Sequence, residues 1–129
     1  MFGSSAFDYI NVLDKAADAA ALRNEIIANN IANVDTPGYK RQDVSFEHEL
    51  ERALGMNKYE TMDSKVAHLK SGDAKPKVYT DIKGFSYRYD KNSVDIDAEA
   101  TYLAENQIKY EGLMNSLTSE FKNLQAVMK

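Results

Sequence analysis

Apolar residues recur at alternating steps of four and three near both ends of this chain. From Ala6 the step lands on Ile10, Leu13, Ala17, Ala20, Asn24, Ile27, Ile31 and Val34, and only Asn24 is polar. From Ile96 it lands on Ala100, Leu103, Gln107, Tyr110, Met114, Leu117, Phe121, Leu124 and Met128, and only Gln107 is polar. A seam repeating every 3.5 residues over about four heptads is what a coiled coil requires, because slight supercoiling keeps such a seam against a partner helix. The pattern therefore predicts a mainly α protein whose long N- and C-terminal helices (1–34 and 96–129) pair with each other. Laid antiparallel with Val34 against Ile96, the seams bring Asn24 to Gln107, small Ala20 and Ala17 to bulky Tyr110 and Met114, Leu13 to Leu117, and Ile10 to Phe121. A paired amide layer fixes register where an unpaired amide would cost stability. Helices of about 29 and 32 residues would run roughly 43 and 48 Å.

The middle, 35–95, follows no such period. Thr36-Pro37-Gly38-Tyr39 reads as a type II turn, with proline presetting the second position and glycine supplying positive φ at the third, so the first helix must stop near Val34. Phe46, Leu50, Ala53 and Leu54 give residues 44–54 the pattern of a short amphipathic helix, ended by Gly55. Residues 56–76 mix charges with Ser71-Gly72-Asp73 and Pro76 and read as a mobile, poorly packed connection. Val78, Tyr79, Ile82, Phe85, Tyr87 and Tyr89, interrupted at Lys83-Gly84, predict a small β-hairpin. Asp95 or Asp97 then caps the last helix, with Asp97 and Glu99 favourable at its positive dipole end.

Composition narrows the function classes. The chain has 129 residues, 43% of them hydrophobic, enough for one modest core. Its 16 basic side chains are scattered among 20 acidic ones, for a net charge of -4, which disfavours nucleic acid as a partner. Cysteine is absent, which removes disulfides, thiolate metal sites and thiol nucleophiles. No stretch approaches the roughly 18 apolar residues of a spanning helix, and Met1-Phe2-Gly3-Ser4-Ser5 has no charge ahead of an apolar run, so no cleavable secretory signal is expected.

Nothing in the sequence organises catalysis. His48 and His68 are the only histidines. Glu47, His48 and Glu49 are adjacent and diverge by about 100° each on a helix, so they cannot converge on one ion. Gly38 and Gly84 are isolated rather than part of a phosphate-cradling loop. Tyr79, Phe85, Tyr87 and Tyr89 could stack a sugar or base, though strand propensity accounts for them. The expectation is a protein with no catalytic, cofactor or metal residues and no small-molecule substrate.

One stretch is specific. Ala28-Asn29-Asn30-Ile31-Ala32-Asn33-Val34-Asp35-Thr36-Pro37-Gly38-Tyr39-Lys40 resembles the N-terminal signature of flagellar rod and hook proteins, in which a helix ends in an Asn-rich turn and an Asp-Thr-Pro-Gly-Tyr loop. Asn29, Asn30 and Asn33 share a helix flank, where their amides could satisfy carbonyls of the terminating helix or the loop of a neighbour. Arg41 to Leu50, Asp90 to Asp97, and Asn106-Gln107-Ile108-Lys109-Tyr110 are similar to the corresponding passages of proximal-rod members.

The resemblance implies a non-catalytic subunit of the bacterial flagellar basal body, exported through the flagellar type III apparatus without a cleaved signal and lying on the periplasmic side. It implies assembly through the terminal helices, with copies of itself, other rod subunits, the adaptor joining rod to membrane ring, and the export gate as partners. The assembly seam would be Ile10, Leu13, Asn24, Ile27, Ile31, Val34, Leu103, Gln107, Tyr110, Met114, Leu117, Phe121 and Leu124. The signature loop would comprise Asn29, Asn30, Asn33, Asp35, Thr36, Pro37, Gly38 and Tyr39. Phe46 and Leu50, an i, i+4 pair, resemble a short recognition motif read by the export gate, and the same spacing would serve to dock a helix. A second proximal-rod paralogue, a cytoplasmic coiled-coil adaptor or chaperone, and a small cell-wall hydrolase working through the tyrosines are the alternatives.

Overall fold

The computed structural model describes residues 4–55, 60–69, 74–81 and 88–129, with side chains from Phe7 onward. The elements in chain order are α1 (Ser4–Ala32), β1 (Gln42–Ser45), α2 (Glu47–Leu54), α3 (Met62–Ala67), β2 (Lys77–Thr80) and α4 (Ile96–Val127). Helix α1 packs along α4, β1 and α3 lie against α1, Leu50 and Ala53 of α2 pack around Ala19, and β2 pairs with β1. Among the described residues no helix is long and apolar enough to cross a membrane.

Both long helices have identifiable ends. Pro37 disfavours helical conformation in the residue before it, and Gly38 takes φ 73° while Tyr39 N–H donates to the Thr36 carbonyl at 3.2 Å. The turn expected from Thr36 to Tyr39 therefore forms, and α1 stops just before it. Asp95 is the cap of α4, its carboxylate accepting from the amides of Asp97 and Ala98, with Asp97 and Glu99 in the first turn. Gly55 closes α2 at φ 72°.

The terminal helices pair antiparallel, but α4 is turned relative to the expected seam. Leu103, Tyr110, Leu117 and Leu124 face inward as expected, while the alternate inward positions are Glu99, Asn106, Leu113 and Glu120. Gln107 is exposed, as are Ile96, Met114, Phe121 and Met128. The amide layer exists with a different member: Asn106 Nδ2 donates to Asn24 Oδ1 and to the Ala20 carbonyl, each at 2.7 Å. The physical reason is that polar groups can be buried when their hydrogen bonds are made locally, so a search for apolar positions passes over them. Of the expected N-terminal positions whose side chains are described, Ile10, Ala17, Ala20 and Ile27 are buried and Leu13, Asn24, Ile31 and Val34, the last just beyond α1, are half-buried.

Helix α1 also buries a second stripe. Ala19 packs with Phe46 and Ala74, and around them lie Ala16, Leu50 and Ala53, so the small residues of α1 let α2 approach closely. Val44 and Ser45, expected in the short helix, instead belong to β1, because their backbone is satisfied in the extended state. Strand β1 pairs antiparallel with β2, Asp43 opposite Tyr79 and Val44 opposite Val78. Its other edge is covered by α1: Asn30 exchanges two bonds with the Gln42 backbone, and Arg23 Nη2 donates to the Val44 carbonyl at 2.9 Å. The expected partner of Val78 and Tyr79 across a Lys83-Gly84 turn lies outside the described residues.

The stretch 56–76, expected to be poorly packed, contains α3. Thr61 caps it by accepting from Ser64 N–H, Val66 is buried, and Tyr9 on α1 donates to Asp63. Six residues have too short a period to reveal a buried face in the sequence. Ala74 is buried at φ 54°.

Candidate functional site

At the end of α1 the backbone turns through the Asn-rich loop, and its orphan carbonyls need donors. Asn92, 1% exposed, supplies them: its Nδ2 lies 2.9, 3.0 and 2.8 Å from the carbonyls of Asn33, Val34 and Thr36, and its Oδ1 accepts from Val94 N–H. Two backbone bonds complete the clamp, Gly38 N–H to the Asp90 carbonyl and Ser93 N–H to the Tyr39 carbonyl. Asn33 is used locally, donating to the Asn29 carbonyl and accepting from Thr36. Asn30, fully buried, donates to the Gln42 carbonyl and to Glu99 and accepts from Gln42 N–H and Tyr39 O–H. The three asparagines thus have three separate employments. With its backbone fixed, the loop presents Asn29, Asp35, Thr36, Pro37 and Gly38 to solvent.

Beneath the loop sits an ionic knot. Arg41 Nε pairs with Glu99, which has no exposed surface, while its two Nη atoms reach Asp81 and Asp43 at 3.1 Å and its guanidinium lies 4.9 Å from the Tyr102 ring centroid. Asp43 lies 3.6 Å from Arg23, which holds Glu47 in a two-pronged contact at 3.0 and 2.7 Å. Lys109 of α4 reaches the same carboxylate. The Arg23 guanidinium holds the Glu47 carboxyl well below the usual carboxylate range against partial desolvation, and Lys109 adds to it. Burial, helped by the Glu99 charge, raises the Tyr39 phenol above its ordinary value and keeps it a donor to Asn30. These groups pair with one another, an arrangement that holds three helices and the sheet in register.

The other predicted residues divide by exposure. Ile10, Ile27 and Leu117 are core, Leu13, Asn24, Leu103, Tyr110 and Leu124 are half-buried along the α1–α4 contact, and Ile31 and Val34 are half-buried near the end of α1. Gln107, Met114 and Phe121 are exposed, Met114 and Phe121 along a groove they share with Asp14, Ala17, Asp18 and Ala21 of α1, and Ile108 is 73% exposed. Phe46 is 4% exposed and Leu50 half-buried, joined by the Leu50 N–H bond to the Phe46 carbonyl and docked on Ala19. His48 and His68 are exposed.

Sequence reasoning missed Arg23, Arg41, Asn92, Glu99 and Asn106 as site residues. Glu99 and Asn106 had a signal: stepping back four from Leu103 reaches Glu99, and stepping on three reaches Asn106. Asn92 had none, since its partners are nearly sixty residues away.

Comparison with known proteins agrees with this construction. The model of the family described as flagella basal body rod protein matches residues 10–40, which end in the signature loop. Three relatives carry the name flagellar basal body rod protein FlgB. The Borreliella burgdorferi protein is 37% identical over 122 residues, 87% of this chain and 89% of its own. The Bacillus subtilis protein is 34% identical over 120 residues, 92% of each chain. The Salmonella typhimurium protein is 33% identical over 121 residues, 88% of each. This family builds structure and performs no enzymatic reaction, and its place is the flagellar basal body. The loop clamped by Asn92, the paired terminal helices and these relatives together establish that the chain belongs to the flagella basal body rod protein family, with FlgB-type relatives across most of its length.

Proposed function

We propose that this rod subunit is an axial protein of the proximal rod, exported through the flagellar type III apparatus without a cleaved signal and polymerised on the periplasmic side through its terminal helices. The observation that carries the reading is the set of large apolar side chains that the helix pair leaves exposed. Phe7, Ile108, Phe121, Val127 and Met128 are 55%, 73%, 56%, 80% and 84% exposed. Large apolar side chains of this kind on one rod-shaped unit call for neighbours that cover them. The rigid loop at Asn29 to Gly38 offers a second contact at one end of the pair, where copies of the chain and other rod subunits would meet it. The rod-to-ring adaptor and the export gate complete the proposed partners.

Phe46 and Leu50 fit both proposed uses. In the folded chain they are packed against Ala19, so gate recognition would act on the chain before it folds. Cell fractionation of two variants tests the reading. Phe121→Asp should be exported normally yet fall about tenfold or more in purified basal bodies, because a carboxylate replaces an apolar contact between subunits. Phe46→Ala with Leu50→Ala should accumulate inside the cell. Normal basal-body levels of Phe121→Asp would remove this exposed side chain from assembly, and normal secretion of the double variant would reduce Phe46 and Leu50 to packing.

A further inference from the structure

An open groove of about 880 Å³ runs between the sheet and α4, lined among others by Asp43, Glu47, Lys77, Tyr79, Tyr102, Glu105 and Asn106. Tyr102, Glu105, Asn106 and Lys109 fall at i, i+3, i+4 and i+7 and form one wall. Two features of that wall are not used by the fold. Glu105 is exposed and makes no ion pair among the described residues, whereas its neighbours Glu47 and Lys109 are engaged with each other. Asn106 is 3% exposed, and its Nδ2 is committed to α1, but its Oδ1 is buried without a donor. Because the Ala20 carbonyl can only accept, the amide cannot be turned to bring Nδ2 to the unsatisfied side. An unpaired buried acceptor costs about 1–3 kcal/mol.

We propose that this groove receives a basic side chain, arginine or lysine, from a neighbouring subunit of the axial structure. The ion pairing favours a cation: of the four lining carboxylates, Asp43, Glu47 and Glu49 are paired with Arg23, Arg41, Lys77 or Lys109, and Glu105 alone has no counter-ion among the described residues. A cation gains Glu105 as its counter-ion and the half-exposed rings of Tyr79 and Tyr102 as faces, and the same wall holds Asn106 Oδ1, an acceptor still without a donor. The partner class rests on the proposed rod assembly, but the chemistry of the groove does not.

The purified full-length chain is titrated with acetyl-arginine methylamide and, separately, with the neutral citrulline analogue, while NMR follows the Asn106 side-chain amide and the Tyr102 ring. Saturable shifts are expected with the arginine compound, about fivefold or more weaker in Glu105→Gln and with citrulline. Equal response to both compounds, an unchanged response in Glu105→Gln, or no response at all overturns the proposal. In cells, Glu105→Lys should be exported and depleted from basal bodies about tenfold. Its normal incorporation beside a depleted Phe121→Asp would refute the groove as a subunit contact and leave the rod reading standing. Absence of the wild-type chain from basal bodies would refute the rod reading itself and with it the proposed partner.

Discussion

Ile27→Asp is expected to unfold the helix pair, costing about 4 kcal/mol or more, a large share of the roughly 5–15 kcal/mol that holds a domain of this size. Ile27 is 1% exposed where α1 meets α4, and a carboxylate there loses both the apolar burial and its own hydration. Burial would raise the introduced carboxyl's pKa, so the damage should be largest at neutral pH and smaller at pH 4. Urea unfolding followed by circular dichroism checks both points. A shift below about 1 kcal/mol would mean that this face is open in solution. Motile cells carrying the variant would mean that the working rod does not use the pairing.

The second large effect is expected at Arg41. Arg41→Met leaves the Glu99 carboxylate, which has no exposed surface, with Asn30 as its only remaining partner among the described residues, and stranding a buried charge costs about 3–5 kcal/mol. Adding Glu99→Gln should return about 2 kcal/mol of that loss, since an amide is far cheaper to bury than an unpaired carboxylate. Arg41→Lys should fall between wild type and Arg41→Met, because one ammonium cannot serve Glu99, Asp43 and Asp81 in three directions. The double-mutant cycle, read from urea midpoints, decides the matter: strictly additive losses would show that the two residues do not share one interaction.

Much of the architecture was legible because it is written in periodicity and turn chemistry. Pro37 and Gly38 fix the end of α1, Asp95 fixes the start of α4, and the N-terminal seam from Ile10 to Val34 is buried or half-buried. The face of α4 was read half correctly. Ala100, Met114 and Phe121 offered a more apolar line than Glu99, Asn106 and Glu120, yet the polar line is the inner one. Hydropathy ranks side chains by transfer from water and has no knowledge of a partner, and the partner decides here: Arg41 for Glu99, Ala20 and Asn24 for Asn106. The candidate site was legible as a loop and illegible as a mechanism. Asn29, Asn30 and Asn33 stand together in the sequence, but what fixes the loop is Asn92, and nothing local to Asn92 announces that its amide spans three distant carbonyls. The same limit applies to β1, whose outer edge is satisfied by side chains of α1 rather than by a strand.

The pairing of α1 with α4 joins the first and last thirds of the chain, and that has a consequence for how the molecule comes into being. During synthesis α1 is complete at Ala32, while its inner face waits for Glu99 and the residues after it. At translation rates of about 5–20 residues per second the wait is on the order of 3–13 s, far longer than the microsecond in which a helix forms. Through that interval Ile10, Ala17 and Ala20 lack the α4 side chains that cover them, so the inner face of α1 stays open while the middle elements are made. Closure comes only once α4 has been made, and because it joins distant parts it must overcome the entropy of a long loop in one step. A chain ended at Asp95 should therefore fail to settle into this fold, because the helix that covers the inner face of α1 is missing.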